Sequence, residues 1–391
     1  MKSSRITKIE ALFLRYPFPT PIRYVYSGGV VDNMDAAYVR VTTEDGDYGL
    51  GEITHGQFCY EPIIGLVQHF DRLLKGKPVA DINLLYDLMY QSSIFWNRQG
   101  VGIGVMGGID IALYDVLGKL LDLPVYQLLG GRCRQRTRIY ASNGLFNALE
   151  PLVADARRAQ AFGFRTYKMR VTTSDTIVPL VAGLRDTVGK DMDIIVDAVQ
   201  GSCAVPWSLS VAKRLARELE PYGILFLEEP CRVEDIEGYV DLRRSSPVSI
   251  AGAESIPTAL GFKPYLDQGA FDVVQFDIAT SGFTEGAKIA ALAGLYRKPV
   301  AIHSWGTIVS CLAGVHMALS TPECVMTEYC FMDHPLNDLI STKPFRPADG
   351  FAMALDAPGL GVTFDDALLK RYPYDPSINT MISTAEQHFE F

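Results

Sequence analysis

The spacing of apolar and polar positions changes twice along the chain. Over ITKIEALFLRY (6–16) and AAYVRVTTEDGDYGLGE (36–52) apolar and polar residues alternate, with an Asp-Gly turn signal between strand runs. A period of two predicts half-exposed antiparallel strands. From residue 61 to 129 the period becomes helical, as in LVQHFDRLLKG and GIDIALYDVLGKLL, and LLGGR then reads as a helix stop. Strands followed by helices predict a separate α+β unit over residues 1–130.

Beyond residue 130 short β-branched runs alternate with helical stretches. The runs are RIYAS, TYKMR, DIIVDA, ILFLEE, VSIAGAE, VVQFDI, PVAIHS and VMTEY; PWSLSVAKRLARELEPY and TEGAKIAALAGLYRK are amphipathic segments between them. Strand candidates that each lead into helix or loop predict a (β/α)8 barrel over 131–358, with a doubly wound sheet as the alternative. The expected fold class is therefore α/β, a TIM-type barrel with an α+β capping domain. The segment 359–391 is polar and weakly periodic, and is expected to return to that capping domain.

Composition narrows the function. The 391 residues are 48% hydrophobic and 21% charged, enough for a sizeable core, and the formal net charge is −9. With no basic run, a nucleic-acid partner is excluded. The start, MKSSRITKIEALFLRYPF, lacks the apolar core and cleavage site of a secretion signal. No uncharged stretch reaches the roughly 18 apolar residues of a spanning helix, so no membrane partner is expected. Seven cysteines, an odd number with no CxxC pair, read as reduced thiols rather than a disulfide frame or zinc site. These features together predict a cytoplasmic enzyme acting on a small molecule.

The last polar residue of each strand run carries the chemistry. These are Lys168 and Arg170, then Asp197, Glu228, Glu254, Asp277, His303 and Glu328, at steps of 29, 31, 26, 23, 26 and 25 residues from Lys168. Each step is one βα unit, and a barrel gathers its C-terminal strand ends at one mouth. Carboxylates crowded there repel one another unless a cation joins them. Asp197, Glu228 and Glu254 offer hard oxygen donors with no Cys or His among them, a set suited to Mg²⁺. Glu229 adjoins Glu228, and spacing alone leaves either as the ligand.

Asp277 and His303 fall on adjacent strand ends. A carboxylate on one imidazole nitrogen fixes the tautomer and makes the other nitrogen a general base. Lys168 and Arg170, two apart on one strand, face the same side, where a cation could neutralise a substrate carboxylate or developing enolate. Arg170 is a poor proton acceptor, since its pKa exceeds about 12. Lys168 serves as a base only if burial and nearby positive charge depress it. His69, His316 and His388 read as structural; His55 and His334 lie in loops within reach of a substrate.

At this point the chain resembles the mandelate racemase branch of the enolase superfamily. The resemblance is carried by GGIDIALYDVLGK (107–119) with LPVYQLLGG (123–131), and by the spaced VDA, LEEP, GAES, FDI, IHSWG and TEY segments. It covers essentially the whole chain. It implies one Mg²⁺ per subunit on Asp197, Glu228 and Glu254, with the first glutamate of LEEP as ligand. It also implies a His303–Asp277 dyad, which sets the chain apart from the muconate-lactonizing branch, and Glu328 as hydrogen-bond partner of the substrate carboxylate. A homo-oligomer is expected on the same ground.

Two positions depart from that pattern. Family racemases carry Lys-x-Lys where this chain has Lys168-Met169-Arg170, and Arg170 suits neither proton removal nor delivery on a second face. Val199 stands where mandelate racemase has an asparagine, with Gln200 as a compensating polar candidate. A one-base reaction follows: dehydration of a sugar acid, an aldonate or aldarate, to a 2-keto-3-deoxy acid, with C2 deprotonation by His303 and loss of the 3-hydroxyl. A cycloisomerase or epimerase using Lys168 as partner acid is the alternative, and a non-catalytic binding protein would have lost a metal ligand. Loops 19–29 and 54–61 are expected to close the mouth, with Arg23, Tyr24, Tyr26, His55, Gln200 and Trp305 as substrate contacts.

Overall fold

Alternation over the first 52 residues becomes an antiparallel sheet in the computed structural model, which describes residues 4–19, 24–26, 29–171, 173–203, 205–376 and 382–383. Strands β1 (Ile6–Pro17), β4 (Asn33–Thr43) and β5 (Tyr48–Glu52) pair in the order β1-β4-β5. Two short strands, β2 (Tyr24–Tyr26) and β3 (Gly29–Val31), form a hairpin between β1 and β4, and β15 (Ile382–Ser383) pairs antiparallel with β3. Helices α1 (Glu61–Leu74), α2 (Ile82–Ser93) and α3 (Val101–Leu121) bury their apolar residues against the first sheet.

Helix α3 is long and apolar enough to cross a membrane by length and composition, but most of it is buried in the protein. It lies unusually close to β5. A Cβ on Gly49 would stand 2.0 Å from the Ala112 carbonyl oxygen, and one on Gly51 would stand 1.9 Å from that of Gly108. Only glycine permits this contact. Buried Asp115 joins the layers: Oδ2 accepts from the Leu50 amide at 2.9 Å, and Oδ1 from the Leu360 amide at 2.8 Å.

The eight β-branched runs form a closed parallel barrel. Its strands are β6 (Thr137–Ser142), β7 (Thr166–Arg170), β8 (Asp193–Asp197), β9 (Leu227–Glu228), β10 (Ile250–Gly252), β11 (Val273–Val274), β12 (Val300–Ile302) and β13 (Cys324–Cys330). Each pairs in parallel with the next, and β13 returns to β6. After the short α4 (Val125–Leu128), the barrel helices are α5 (Leu149–Phe162), α6 (Ile177–Val188), α7 (Leu209–Leu219), α8 (Ile236–Ser245), α9 (Ala259–Gln268), α10 (Ile278–Leu295) and α11 (Ile308–Ser320). The short β14 (Phe351–Ala352) adds antiparallel to β6. The doubly wound alternative is thereby excluded, because such a sheet is open.

Inside the barrel Tyr140, Ile195, Phe226, Ala251, Ala301 and Met326 pack as one apolar plug. Several stand two residues before a polar strand end (Ile195 before Asp197, Phe226 before Glu228, Ala301 before His303, Met326 before Glu328). Residues two apart on a strand share a face, so the strand-end polar groups sit directly above the plug. Helix α10 breaks at Gly282 (φ 67°), where Asp110 of α3 caps the second half, accepting from the Thr284 amide at 2.9 Å and its hydroxyl at 2.6 Å. Beyond the barrel, residues 359–375 run back over the first sheet: Pro373 bridges to Leu14, and Tyr374 stacks on Tyr60 at 4.6 Å.

Candidate active site

The strand-end ionisable groups converge at the C-terminal mouth. The Lys168 Nζ is fully buried and lies 2.6 Å from Glu228 Oε1, 2.9 Å from Glu328 Oε1 and 3.4 Å from Asp197 Oδ2. Arg170 reaches Asp197 Oδ2 at 3.3 Å and Glu328 Oε1 at 3.6 Å. Its Nη1 donates to Ser142 Oγ at 2.9 Å and to the Asn143 carbonyl at 3.2 Å, and its guanidinium stacks 3.9 Å from the Trp305 ring centre. A planar cation fits this fork-and-stack arrangement as an ammonium would not.

His303 lies between carboxylates. Nδ1 is 2.7 Å from Asp277 Oδ2, and Nε2 is 3.0 Å from Glu254 Oε2 and 3.3 Å from Glu328 Oε2. Asp277 is itself fixed through Oδ1, which accepts from the Thr280 amide at 2.6 Å, as N-cap of α10, and from the Thr54 hydroxyl at 2.8 Å. Glu328 Oε2 accepts from the Ser304 amide at 2.9 Å. The barrel thus supplies the acid–base residues, and the capping domain reaches in to hold one of them.

The crowding sets the charges. Burial opposes the His303 imidazolium, yet Glu254, Glu328 and Asp277 hold it well above the ordinary histidine range. Lys168 follows the same pattern: burial works against it, but Glu228 and Glu328 keep it firmly protonated. Burial pushes Glu228 up to about 7 against the pull of Lys168, whereas His303 overcomes burial to bring Glu254 down to about 2. Glu229 is driven well above the usual carboxylate range by burial and then by Glu254. Its side chain turns toward Gly201, where an added Cβ would meet Oε2 at 2.2 Å. Glu228 is thus the residue of this pair that faces the Lys168 cluster.

A divalent cation suits this donor set. Four buried carboxylates (Asp197, Glu228, Asp277 and Glu328) and the partly exposed Glu254 face two permanent cations among the described residues, Lys168 and Arg170, and Glu228 Oε2 is buried with no hydrogen-bond partner. Hard oxygens with an uncompensated negative charge fit Mg²⁺. Among the described residues no three donors are drawn into a closed metal cage. Lys168 and His303 stand instead on the oxygens of Asp197, Glu228 and Glu254.

A cavity opens over these groups, lined by Thr54, Arg170, Asp197, Glu254 and His303 together with Val31, Phe58, Leu145, Val199 and Trp305. Of the expected substrate contacts, Trp305 lies on it. Three others are turned elsewhere. Gln200 spends its amide on backbone, donating to the Ala198 carbonyl at 2.7 Å and accepting from the Trp207 amide at 2.8 Å. Buried Tyr24 packs on Phe18, and its hydroxyl accepts from the Asp333 amide. His55 sits against Gly104 of α3, where its Nδ1 is 2.4 Å from the position of an added Cβ. In each case local packing and backbone demand outweigh the reach that loop position suggests. Arg23 and the Tyr26 side chain lie outside the described residues.

Sequence reasoning did not single out Thr54, Phe58, Val31 and Leu145. Thr54 and Phe58 belong to the loop expected to close the mouth, but a search for titratable side chains passes over them. Leu145 follows β6, the one barrel strand whose end carries no ionisable residue. A search for charged strand ends could not find it.

Two family models match the chain. The mandelate racemase/muconate lactonizing enzyme N-terminal domain covers residues 9–130, and the enolase C-terminal domain-like model covers residues 151–368. A D-galactonate dehydratase of Xanthomonas campestris pv. campestris is 32% identical over 357 residues, 87% of this chain and 91% of that protein. The solved structure of a 3,6-anhydro-D-galactonate cycloisomerase from Zobellia galactanivorans is 31% identical, with a TM-score of 0.83 over 94% of this chain and 99% of that one. A racemase from Streptomyces coelicolor with bound magnesium is 26% identical, with a TM-score of 0.82 over 94% and 99%.

Proposed function

The chain belongs to the mandelate racemase branch of the enolase superfamily, and on that premise we propose that it is a Mg²⁺-dependent dehydratase of an aldonate or aldarate. The observation that carries the reading is the single competent base. His303 has a carboxylate on Nδ1 and presents Nε2 toward the cavity. Lys168 is locked in its ammonium form by three carboxylates, and Arg170 cannot accept a proton. Proton removal on one face followed by departure of a leaving group needs one base. Racemisation needs two.

Asp197, Glu228 and Glu254 would hold the metal. When bound, Mg²⁺ supplies positive charge that offsets these carboxylates and that of the substrate, so that C2 becomes acidic enough to lose its proton. With Glu254 given over to the metal, His303 would lose the carboxylate that most strongly holds its proton, and in its neutral form it takes the C2 proton on Nε2, with Asp277 stabilising the resulting imidazolium. The C3–O bond then breaks, and His303 returns that proton to the departing hydroxyl, which leaves as water. The remaining enol becomes the 2-keto-3-deoxy acid. Lys168 and Arg170 balance the negative charge that develops at the substrate carboxylate, with Glu328 holding both cations in place.

A cycloisomerase is the second reading, favoured by the Zobellia relative's name and by the ammonium that Lys168 places within the site. A homo-oligomer and a cytoplasmic location belong to the same proposal; the seven cysteines, all free, suit a reducing compartment. The test is a library of acid sugars incubated with Mg²⁺ in D₂O and followed by proton NMR. A 2-keto-3-deoxy product supports dehydration. Deuterium at C2 in a cyclised or inverted product, without loss of water, would support the second reading instead.

A further inference from the structure

One of the carboxylates assigned to the metal stands on the face of its strand that alternation would not give it. In β10, Ala251 lies opposite Glu228 and packs in the barrel plug with Phe226 and Ile195. Odd-numbered residues of this strand therefore face inward. Gly252 confirms the count, because a Cβ there would point toward the helices, 3.2 Å from the Tyr239 hydroxyl and 3.6 Å from the Phe271 ring. Glu254, two residues further on, would follow Gly252 outward. Its Oε2 instead lies 3.0 Å from His303 Nε2, and the residue lines the cavity. Asp197, Glu228, His303 and Glu328 each stand two residues beyond a plug residue and keep the regular phase.

The phase changes at Ala253, which is buried with φ 84°, in the left-handed region. It is one residue too many between strand and glutamate, as in a β-bulge. The bend is closed by the Ile256 amide, which donates to the Ala253 carbonyl at 3.1 Å. Six non-glycine residues among those described have positive φ, and three of them fall within two residues of the carboxylates assigned to the metal: Val199 (φ 53°), Glu229 (φ 43°) and Ala253. Such strain persists only where the surrounding structure enforces it, and it gathers at functional sites. Val199 and Glu229 follow their carboxylates and leave the phase of those side chains alone. Ala253 precedes its own. The extra residue also carries Glu254 further from the plug. Its side chain is 32% exposed, against 5% for Asp197 and 1% for Glu228, which lie lower, on Lys168.

We infer that Ala253 is a positioning residue: its left-handed backbone inserts one residue at the exit of β10 and so turns Glu254 from the helix layer into the mouth. Without that bend the glutamate would point toward Tyr239 and Phe271, and His303 Nε2 would lose its neighbour. The placement of Glu254 is a matter of geometry. What it means for Mg²⁺ rests on the metal reading above.

Substitutions at the bend test this role. Ala253→Pro fixes φ at about −65° and so forbids the bend. The Ala253 amide makes no hydrogen bond among the described residues, so proline removes none. In a crystal structure of the metal-free proline variant, Glu254 should be turned outward, away from His303. Mg²⁺ affinity by calorimetry should fall roughly tenfold or more, as for Glu254→Gln. Adding Glu254→Gln to the proline variant should then change little, since both remove the same ligand, whereas a general loss of packing would add its own cost. Ala253→Gly keeps the bend without strain, so the contact should remain and the affinity stay within about threefold of the parent. It should also melt roughly 2–4 °C above Ala251→Gly, which loses an equally buried methyl group at an extended position.

A proline variant that keeps the Glu254–His303 contact overturns the inference, as does a glycine variant that melts no higher than Ala251→Gly. Losses that add between the proline and glutamine changes overturn it too. Should proline prevent folding, the glycine comparison decides alone. If proline breaks the contact and Mg²⁺ binds as tightly as before, Ala253 keeps its role and Glu254 leaves the ligand set. A retained contact, with Glu254→Gln still weakening the metal, has the reverse meaning.

Discussion

Replacing Asp277 with asparagine tests the His303 base through its tautomer. Asp277 Oδ1 accepts two hydrogen bonds, from the Thr280 amide and the Thr54 hydroxyl, so an oxygen must remain at that position. In Asp277→Asn the carbonyl oxygen therefore stays there, and the amide NH₂ takes the place of Oδ2, 2.7 Å from His303 Nδ1. A donor facing Nδ1 forces the ring proton onto Nε2, the nitrogen that must accept the substrate proton. The variant should lose about as much rate as deletion of a general base, roughly 10²–10⁴-fold.

The fold should survive, because asparagine caps a helix about as well as aspartate. Activity carried by the minor tautomer should also show a displaced pH profile. Asp277 is among the groups that raise His303. Loss of a charged hydrogen bond worth about 1.5–3 kcal/mol lowers a pKa by about 1–2 units. The acidic limb of kcat/KM, below which the base is protonated, should move down in pH by that amount. The assay is a pH series of kcat/KM on the substrate that the acid-sugar library yields, with a thermal melt as control. A folded variant within tenfold of the parent, with its acidic limb unmoved, would refute the assignment of His303 Nε2 as the base.

Four further outcomes follow from the geometry. Glu254→Gln should weaken Mg²⁺ binding roughly tenfold or more by calorimetry, since a hard cation loses an anionic oxygen; an unchanged affinity would remove Glu254 from the ligand set. Arg170→Lys gives up the bonds to Ser142 and Asn143 and the stack on Trp305, and should cost about 10–100-fold in kcat/KM; parent-like kinetics would show that the fork does not matter. Glu52→Ala removes the acceptor for the amides of both Thr307 and Ser310, at 2.8 and 3.0 Å, and should destabilise by about 2–6 kcal/mol in urea unfolding. A loss under 1 kcal/mol would mean that water replaces Glu52 without cost. His316 accepts from the Tyr126 amide on Nδ1, and burial brings its pKa down to about 4. A depressed histidine contributes stability that is complete above pH 6.5 and lost as pH falls toward 4, about 3 kcal/mol in all. His316→Gln should flatten that part of the stability curve, and an unchanged slope would assign the loss to other groups.

How much of this was legible in the sequence depends on which physical signal each residue leaves. The barrel was legible because its strands are buried on both faces and read as short β-branched runs, while the unit spacing recurs from Lys168 to Glu328. The charged mouth was legible for a related reason: ionisable residues at the ends of apolar strands are costly there and need an explanation. The wall of the cavity leaves no such mark. Leu145 and Val31 are apolar residues among many, and Val199 becomes informative only once its backbone angle is known. Gln200 shows the opposite failure. Beside the mouth it looks like a substrate contact, but the turn after β8 has an unpaired amide and carbonyl of its own, at Trp207 and Ala198, and these take both ends of the side chain. Backbone groups hidden from water must be satisfied before any ligand is. In this fold, then, charge marks the site from sequence. The apolar side chains that line it, and the polar ones that the backbone leaves free, need coordinates to be recognised.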